Sequence, residues 1–172
     1  KALALNPDFA EVHDNLGVAL KDLGKPEEAL SSHHKALALN PDSAGTHNNL
    51  GVALGRLGML DEAVASYGKA LDLNPNFAEA HYNLHSLLLN SEDMTPSINC
   101  MKRAVDINPS HLGYKFILGM LLDYSGKPKE AKPYFDLVEN GAARYRAKLD
   151  AWHYIKSANK KVPTIIGSNI HA

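Results

Sequence analysis

One asparagine recurs at a fixed interval in the sequence, and its chemistry suits the binding of a peptide main chain. Asn15, Asn49 and Asn83 follow one another at steps of 34 residues. An Asn side chain offers both a hydrogen-bond donor and an acceptor. A column of such side chains could therefore pair with the main chain of an extended peptide without reading its side chains. The alternative is that the three asparagines are only polar residues facing solvent.

Charged and aromatic residues lie near the asparagine positions of the 34-residue repeat. Acidic and basic side chains would tune the charge of the surface, and aromatic rings near its far end would provide an apolar contact. That aromatic end would either take an apolar anchor residue of a ligand or receive a C-terminal helix. The predicted peptide-binding residues are Asn15, Asn49, Asn83, Asp14, Asn48, Tyr82, Lys21, Arg56, Phe116 and Tyr124.

Residues that could support catalysis or metal binding do not form a recognisable site. His13, His47 and His81 recur with the repeat and are expected to be partly buried packing residues. His81 and His85 lie four apart, a spacing that zinc can use on a helix, but no third ligand is apparent. No G-x-S-x-G, P-loop or G-x-G-x-x-G motif is present. We therefore expect no enzyme activity, no metal and no cofactor.

The elements that position these residues are paired helices. Leu16 and Leu20 lie at helical spacing, and Gly24 suits a helix C-cap. Pro26 suits the first turn of a second helix, and Pro41 stops that helix because the residue before a proline avoids the helical region. The block at residues 1–8 recurs unchanged at 35–42 and in related form at 69–76 and 103–110.

A 34-residue helix–turn–helix with these residues resembles the tetratricopeptide repeat (TPR). The matching residues are Leu16, Gly17, Ala29, Ala36 and Pro41, with counterparts at Leu50, Gly51, Ala63, Tyr67, Ala70 and Pro75, at Leu84, Ala104 and Pro109, and at Leu118, Gly119, Ala131 and Phe135. The resemblance implies an all-α fold: a right-handed superhelical solenoid of antiparallel helix pairs. It also implies that the first helix of each pair lines a concave groove, where the predicted binding residues would lie.

The repeat divides the chain into parts. Residues 1–9 are expected to be the end of a preceding repeat, and 10–43, 44–77, 78–111 and 112–141 are four TPR units. Residues 142–158 are expected to form a C-terminal capping helix, and 159–172 an extended tail. The third unit has His85 in place of Gly and Glu92 in place of the turn Gly, so we expect it to be looser or displaced.

Composition excludes several classes of protein. The 172 residues contain 18 Lys and Arg against 19 Asp and Glu, and a single Cys. A net charge of −1 argues against binding of nucleic acid over the whole surface. No apolar run is long enough to span a membrane, and no signal-peptide pattern is present, so we expect a cytoplasmic protein that does not bind membranes. From residue 142 on, six basic residues and one acid give +5, which leaves −6 for the rest.

These features predict a non-catalytic protein–protein interaction module whose partner is a protein or peptide. The asparagine column resembles the ladder in the repeat region of O-GlcNAc transferases. The alternative is a substrate-recruiting or spacer region of a larger glycosyltransferase or methyltransferase. TPR domains that hold chaperone C-termini use a Lys, Asn and Arg cluster, whereas Asp14 and Asn48 stand where the first Lys is expected. A homo-oligomer formed through open repeat ends is a further hypothesis.

Overall fold

The computed structural model describes residues 7–90 and 93–141, and every regular element within them is helical. This confirms the predicted all-α helical repeat fold. The predicted capping helix (142–158) and extended tail (159–172) lie outside the described residues. So do residues 1–6 of the segment 1–9 that is predicted to end a preceding repeat. The elements are α1 (Pro7–Asp22), α2 (Pro26–Leu39), α3 (Ala44–Arg56), α4 (Leu60–Leu73), α5 (Ala78–Leu87), a 3-10 turn (Leu88–Asn90), α6 (Thr95–Ile107), α7 (Leu112–Tyr124) and α8 (Pro128–Gly141).

The chain divides into two compact units, residues 1–87 and residues 88–172. In the first, α1 packs on α2, α3 packs on both α2 and α4, and α5 packs on α4. The helices α1, α3 and α5 are also in contact in sequence order, so they form one surface, called here the first-helix face. In the second unit, α7 packs on both α6 and α8.

Glycines in left-handed conformation end three of the first helices. Gly24, Gly58 and Gly126 have φ angles of 72°, 76° and 80°, which cost little for a residue without a Cβ. The equivalent position after α5 is Glu92, which lies outside the described residues. Helix α5 has ten residues and passes into the 3-10 turn, whereas α3 and α7 have thirteen each. The third repeat thus departs from the others where its turn glycine is replaced.

A second set of glycines lets the two helices of a repeat approach closely. A Cβ added to Gly51 would lie 2.7 Å from the ring of Tyr67, and one added to Gly119 would lie 2.9 Å from the ring of Phe135. In the first repeat the equivalent pair is Gly17 and the ring of His33. The glycine therefore provides the space into which a ring from the second helix packs.

Helix α8 contains an internal proline, Pro133. Pro133 lies within Pro128–Gly141, and the helix continues beyond it. A proline at this position lacks the N–H that would bond the preceding turn. Among the described residues, no helix is both long and apolar enough to cross a membrane.

Candidate functional site

The carboxylate of Asp14 connects three helices of the first compact unit. Nδ1 of His33 on α2 donates a hydrogen bond to Oδ1 of Asp14 over 2.8 Å. Nδ2 of Asn49 on α3 donates to Oδ2 of Asp14 over 3.1 Å. Both carboxylate oxygens are thereby used within the protein. His33 is fully buried, whereas Asn49 is half-buried and lies on the first-helix face.

The same contact recurs one repeat later with different chemistry. Nδ2 of Asn83 on α5 donates to Oδ1 of Asn48 on α3 over 3.0 Å. Asn48 is only 2% exposed, so it is a buried supporting residue of the face, whereas Asn83 is half-buried. In both contacts an asparagine of the predicted column donates to a residue on the preceding first helix, 35 positions earlier in the chain.

The carbonyl oxygens of the two held asparagines remain available. Within residues 7–90 and 93–141, Oδ1 of Asn49 and Oδ1 of Asn83 accept no hydrogen bond. Asn15, the first member of the column, is exposed, and its side chain makes no hydrogen bond with the described part of the chain. The column therefore presents polar atoms that a ligand could use.

The two predicted basic residues are brought together at the end of α1. Nη1 of Arg56 donates to the main-chain oxygen of Lys21 over 2.7 Å. A cation at the last carbonyls of a helix is favourable, because those carbonyls have no partner within the helix. The ammonium of Lys21 lies 3.5 Å from the carboxylate of Asp22. Arg56 thus joins α3 to α1 as well as adding charge to an exposed surface.

The aromatic candidates have different environments. Tyr82 is half-buried, its ring centroid lies 5.3 Å from that of His85, and burial raises its pKa. In the second compact unit, Phe116 is buried and packs edge-on against Phe135 with centroids 6.4 Å apart. The ring of Phe116 thus contributes to the packing of α7 on α8, and its predicted contact with a ligand stays a prediction. Tyr124 is exposed.

The histidines that recur with the repeat are partly buried. Nε2 of His47 donates to the main-chain oxygen of Pro41 over 2.9 Å, and Nε2 of His81 does the same to Pro75 over 3.1 Å. Each ring thus ties a first helix to the turn that precedes it. In the part of the chain that the structure describes, no three His, Cys, Asp or Glu side chains come together as a metal site would require.

Sequence reasoning missed the pairing of Asp14 with His33. Position 33 is equivalent to Tyr67 and Phe135, so the repeat register predicts a buried ring there. A buried imidazole needs a hydrogen-bond partner, because a buried polar group without one is costly. That requirement, applied to the facing helix, points to Asp14 as the only acidic side chain within one helical turn of Gly17 on α1.

Comparison with known proteins supports the repeat. A family model described as "TPR repeat" matches residues 19–58 and 56–91, and one described as "Tetratricopeptide repeat" matches residues 78–111. No protein of curated function matches the chain significantly in sequence.

Several solved structures share the fold. A crystal structure of MamA is 25% identical with a TM-score of 0.68, over 76% of this chain and 77% of that one. Another MamA structure is 23% identical with a TM-score of 0.67, over 80% of both chains. The first TPR domain of Spaghetti (RPAP3), bound to the HSP90 peptide SRMEEVD, is 17% identical with a TM-score of 0.67, over 73% of this chain and 99% of that one. Because the two family models together span more than half of its residues, the chain belongs to the tetratricopeptide repeat family.

Proposed function

We propose that the chain is a non-catalytic module that binds an extended peptide along the first-helix face. Membership of the tetratricopeptide repeat family supports a role in protein–protein interaction. A peptide bound to a domain of the same fold, the first TPR domain of Spaghetti, supports a peptide as partner. The alternative role in recruiting substrates to a larger transferase would use the same face.

The availability of the asparagine oxygens carries the proposal. Asn49 and Asn83 are each held through Nδ2, and their Oδ1 atoms accept no hydrogen bond within the described residues. They lie on adjacent first helices, since α3 contacts α5. Evenly spaced polar side chains of one type suit a ligand whose own polar groups repeat, and the main chain of an extended peptide is such a ligand.

The peptide would not bind as chaperone C-termini do in related domains. Asp14 and Asn48 occupy the positions where those domains present a basic clamp residue. Asp14 is already used by His33 and Asn49, and Asn48 is buried. A partner could therefore contact the side-chain oxygens of the asparagine column, the exposed Arg56 and the half-buried ring of Tyr82.

The test is the triple variant Asn15→Ala, Asn49→Ala, Asn83→Ala, assayed for capture of peptides from a randomised display library. We expect capture to fall strongly while the helical circular dichroism is retained. The matched control is Ser31→Ala, Lys35→Ala, Lys69→Ala, at exposed positions of second helices, which should bind as the unmodified chain does. Equal capture by the triple asparagine variant and the unmodified chain would overturn the proposal.

A further inference from the structure

We infer that Asp14 and Asn48 are positioning residues that set the polarity of the asparagine column, by which we mean the direction in which each amide places its nitrogen and its oxygen. The first-helix face would then select ligand groups that donate hydrogen bonds. Each positioning residue would hold the amide nitrogen of the next asparagine inward and leave its carbonyl oxygen facing the ligand. This inference rests on the proposed function and adds the kind of group that the face accepts: the N–H groups of an extended main chain.

The orientation of Asn49 follows from the chemistry of its partner. A carboxylate only accepts hydrogen bonds. Nδ2 is therefore the only atom of the Asn49 amide that can bond to Oδ2 of Asp14 over the observed 3.1 Å. An amide rotated by half a turn would place Oδ1 against the carboxylate and lose the bond. Since Nδ2 and Oδ1 diverge from the same carbon, Oδ1 points away from Asp14.

Asp14 is itself held in place. Its other oxygen accepts from Nδ1 of His33 over 2.8 Å, and that ring is fully buried against Gly17. A carboxylate fixed by a buried ring on one side presents its second oxygen in a fixed direction on the other. Hydrogen bonds to a charged acceptor are also stronger than those between neutral groups. His33 thus helps to hold Asp14 in place, whereas the acceptor-only chemistry of the Asp14 carboxylate orients the Asn49 amide.

The next repeat reaches the same polarity with neutral groups. Nδ2 of Asn83 donates to Oδ1 of Asn48 over 3.0 Å, and Asn48 is buried. In this contact Oδ1 of Asn83 lies on the side away from α3, as Oδ1 of Asn49 lies on the side away from α1. Asn48 is itself an amide, so the orientation of Asn83 follows from this contact and not from an acceptor-only partner. The two residues that face a ligand therefore present acceptors of the same kind, one repeat apart.

This polarity decides which ligand groups bind. A main-chain N–H satisfies an outward carbonyl oxygen, whereas a carboxylate or phosphate brings only acceptors to Oδ1 and lies near the charge of Asp14. An acidic peptide such as SRMEEVD, which the Spaghetti domain binds, should therefore bind this face poorly.

The test uses a peptide selected from the randomised library on the unmodified chain. Each backbone amide of that peptide is replaced in turn by an ester, which removes one N–H. We expect the ester facing Asn49 to weaken binding about three- to tenfold, the factor for one net hydrogen bond. In Asn49→Ala the same ester should have no further effect. SRMEEVD, measured as a second probe, should bind more weakly than the selected peptide.

Variants of Asp14 separate positioning from stability. Asp14→Ala should lower affinity and abolish the ester effect at Asn49. Asp14→Asn should restore both, because its Oδ1 can accept from Asn49 as Oδ1 of Asn48 accepts from Asn83. Its Nδ2 would then donate to Nδ1 of His33 in the tautomer that is protonated on Nε2. The control His33→Phe removes the bond to Asp14 but keeps a ring like that of Phe135, so it should change stability and leave the ester profile intact.

The outcomes distinguish this inference from the proposed function. In one outcome, Asn49→Ala weakens binding, but every ester lowers the affinity of the unmodified chain and of Asn49→Ala by the same factor. Peptide binding then stands and the assigned polarity is wrong. If His33→Phe alters the ester profile as Asp14→Ala does, Asp14 acts only through stability and the inference is wrong. If no library peptide is captured, or the triple asparagine variant binds undiminished, the proposed function and the inference both fail.

Discussion

Oδ1 of Asp14 lies 2.8 Å from Nδ1 of the fully buried His33, whose position is taken by the ring of Tyr67 in the second repeat and by that of Phe135 in the fourth. The other ring nitrogen of His33, Nε2, is buried and makes no hydrogen bond within the described residues. Within the described residues, the imidazole therefore depends on Asp14 for its hydrogen bonding. This contact links the packing of the first repeat to the first-helix face, because the same carboxylate holds Asn49.

Removal of the Asp14 carboxylate should destabilise the chain by leaving a buried donor unsatisfied. We expect Asp14→Ala to lower the free energy of unfolding by about 1–3 kcal/mol, as measured by urea denaturation. With His33→Phe already present, Asp14→Ala should cost clearly less, because no imidazole then needs the carboxylate. Additive losses in this double-mutant cycle would show that the two side chains are not coupled.

The glycine of the close helix contact should not tolerate a methyl group. In Gly51→Ala the added Cβ would lie 2.7 Å from the ring of Tyr67, so either the ring or the helix must move. We expect a loss of about 1–3 kcal/mol in unfolding free energy, typical of an overpacked core. The control Gly68→Ala, which has nothing within 4 Å, should instead gain up to about 1 kcal/mol from helix propensity. An unchanged thermal midpoint for Gly51→Ala would contradict the close packing.

His85 should make stability depend on pH in the mildly acidic range. Burial lowers the pKa of His85 from 6.5 to about 4, because the charged form is disfavoured away from water. Between pH 6.5 and pH 4 the unfolded chain therefore binds more protons than the folded chain. Stability should be complete above pH 6.5 and fall as the pH drops toward 4, by at most about 3 kcal/mol from this residue.

The measurement is urea denaturation of the unmodified chain and of His85→Met at a series of pH values. Other histidines titrate in both proteins, so only the difference between the two curves reports on His85. We expect that difference to grow in favour of His85→Met as the pH falls from 6.5 to 4 and to level off below 4. Parallel curves would contradict the effect of burial.

The outer surface of α1 should drive self-association. Leu16 is 48% exposed, whereas its counterpart Leu50 on α3 is 6% exposed and belongs to a core against which Leu30 and Leu37 of α2 pack. Phe9 on α1 and Leu23, the residue directly after α1, are also exposed. We expect a second copy of the chain to cover this surface, because exposed apolar side chains gain free energy when they are removed from water.

The molar mass in solution should then rise with concentration, and Leu16→Glu with Leu23→Glu should return it to the monomer value. The second exchange adds a charge to a side chain that is already largely exposed, so folding should be retained. The control Lys35→Glu lies at an exposed position of α2 and should leave association unchanged. A monomeric mass for the unmodified chain at every concentration would contradict the proposal.

Much of the fold was predictable because local rules repeat every 34 residues. The end of α1 follows from Gly24, a predicted C-cap that has a positive φ angle, and the start of α2 follows from Pro26. The 3-10 turn after α5 lies in the repeat where His85 and Glu92 stand in place of two expected glycines, and the looser packing expected there stays a prediction. The peptide-binding role of the asparagine column stays a prediction.

The candidate site was only partly predictable. Sequence spacing placed Asp14 and Asn49 on one surface, but it treated both as open to a ligand. The structure buries Asn48, uses both oxygens of Asp14 internally and packs Phe116 against Phe135. These outcomes depend on which side chains of neighbouring helices come into contact. The repeat period gives positions along the chain and does not give the distances between those side chains.

The sequence by itself determined the repeat, the helical pairing and the column of Asn15, Asn49 and Asn83, because turn residues and hydrophobic spacing act over a few positions along the chain. Only the tertiary structure decided that Asp14 is a support for His33 and Asn49, and that the amide of Asn49 turns its nitrogen inward. The physical reason is that a hydrogen bond acts over about 3 Å in space, and residues 19 and 35 positions apart reach that distance only when three helices pack together.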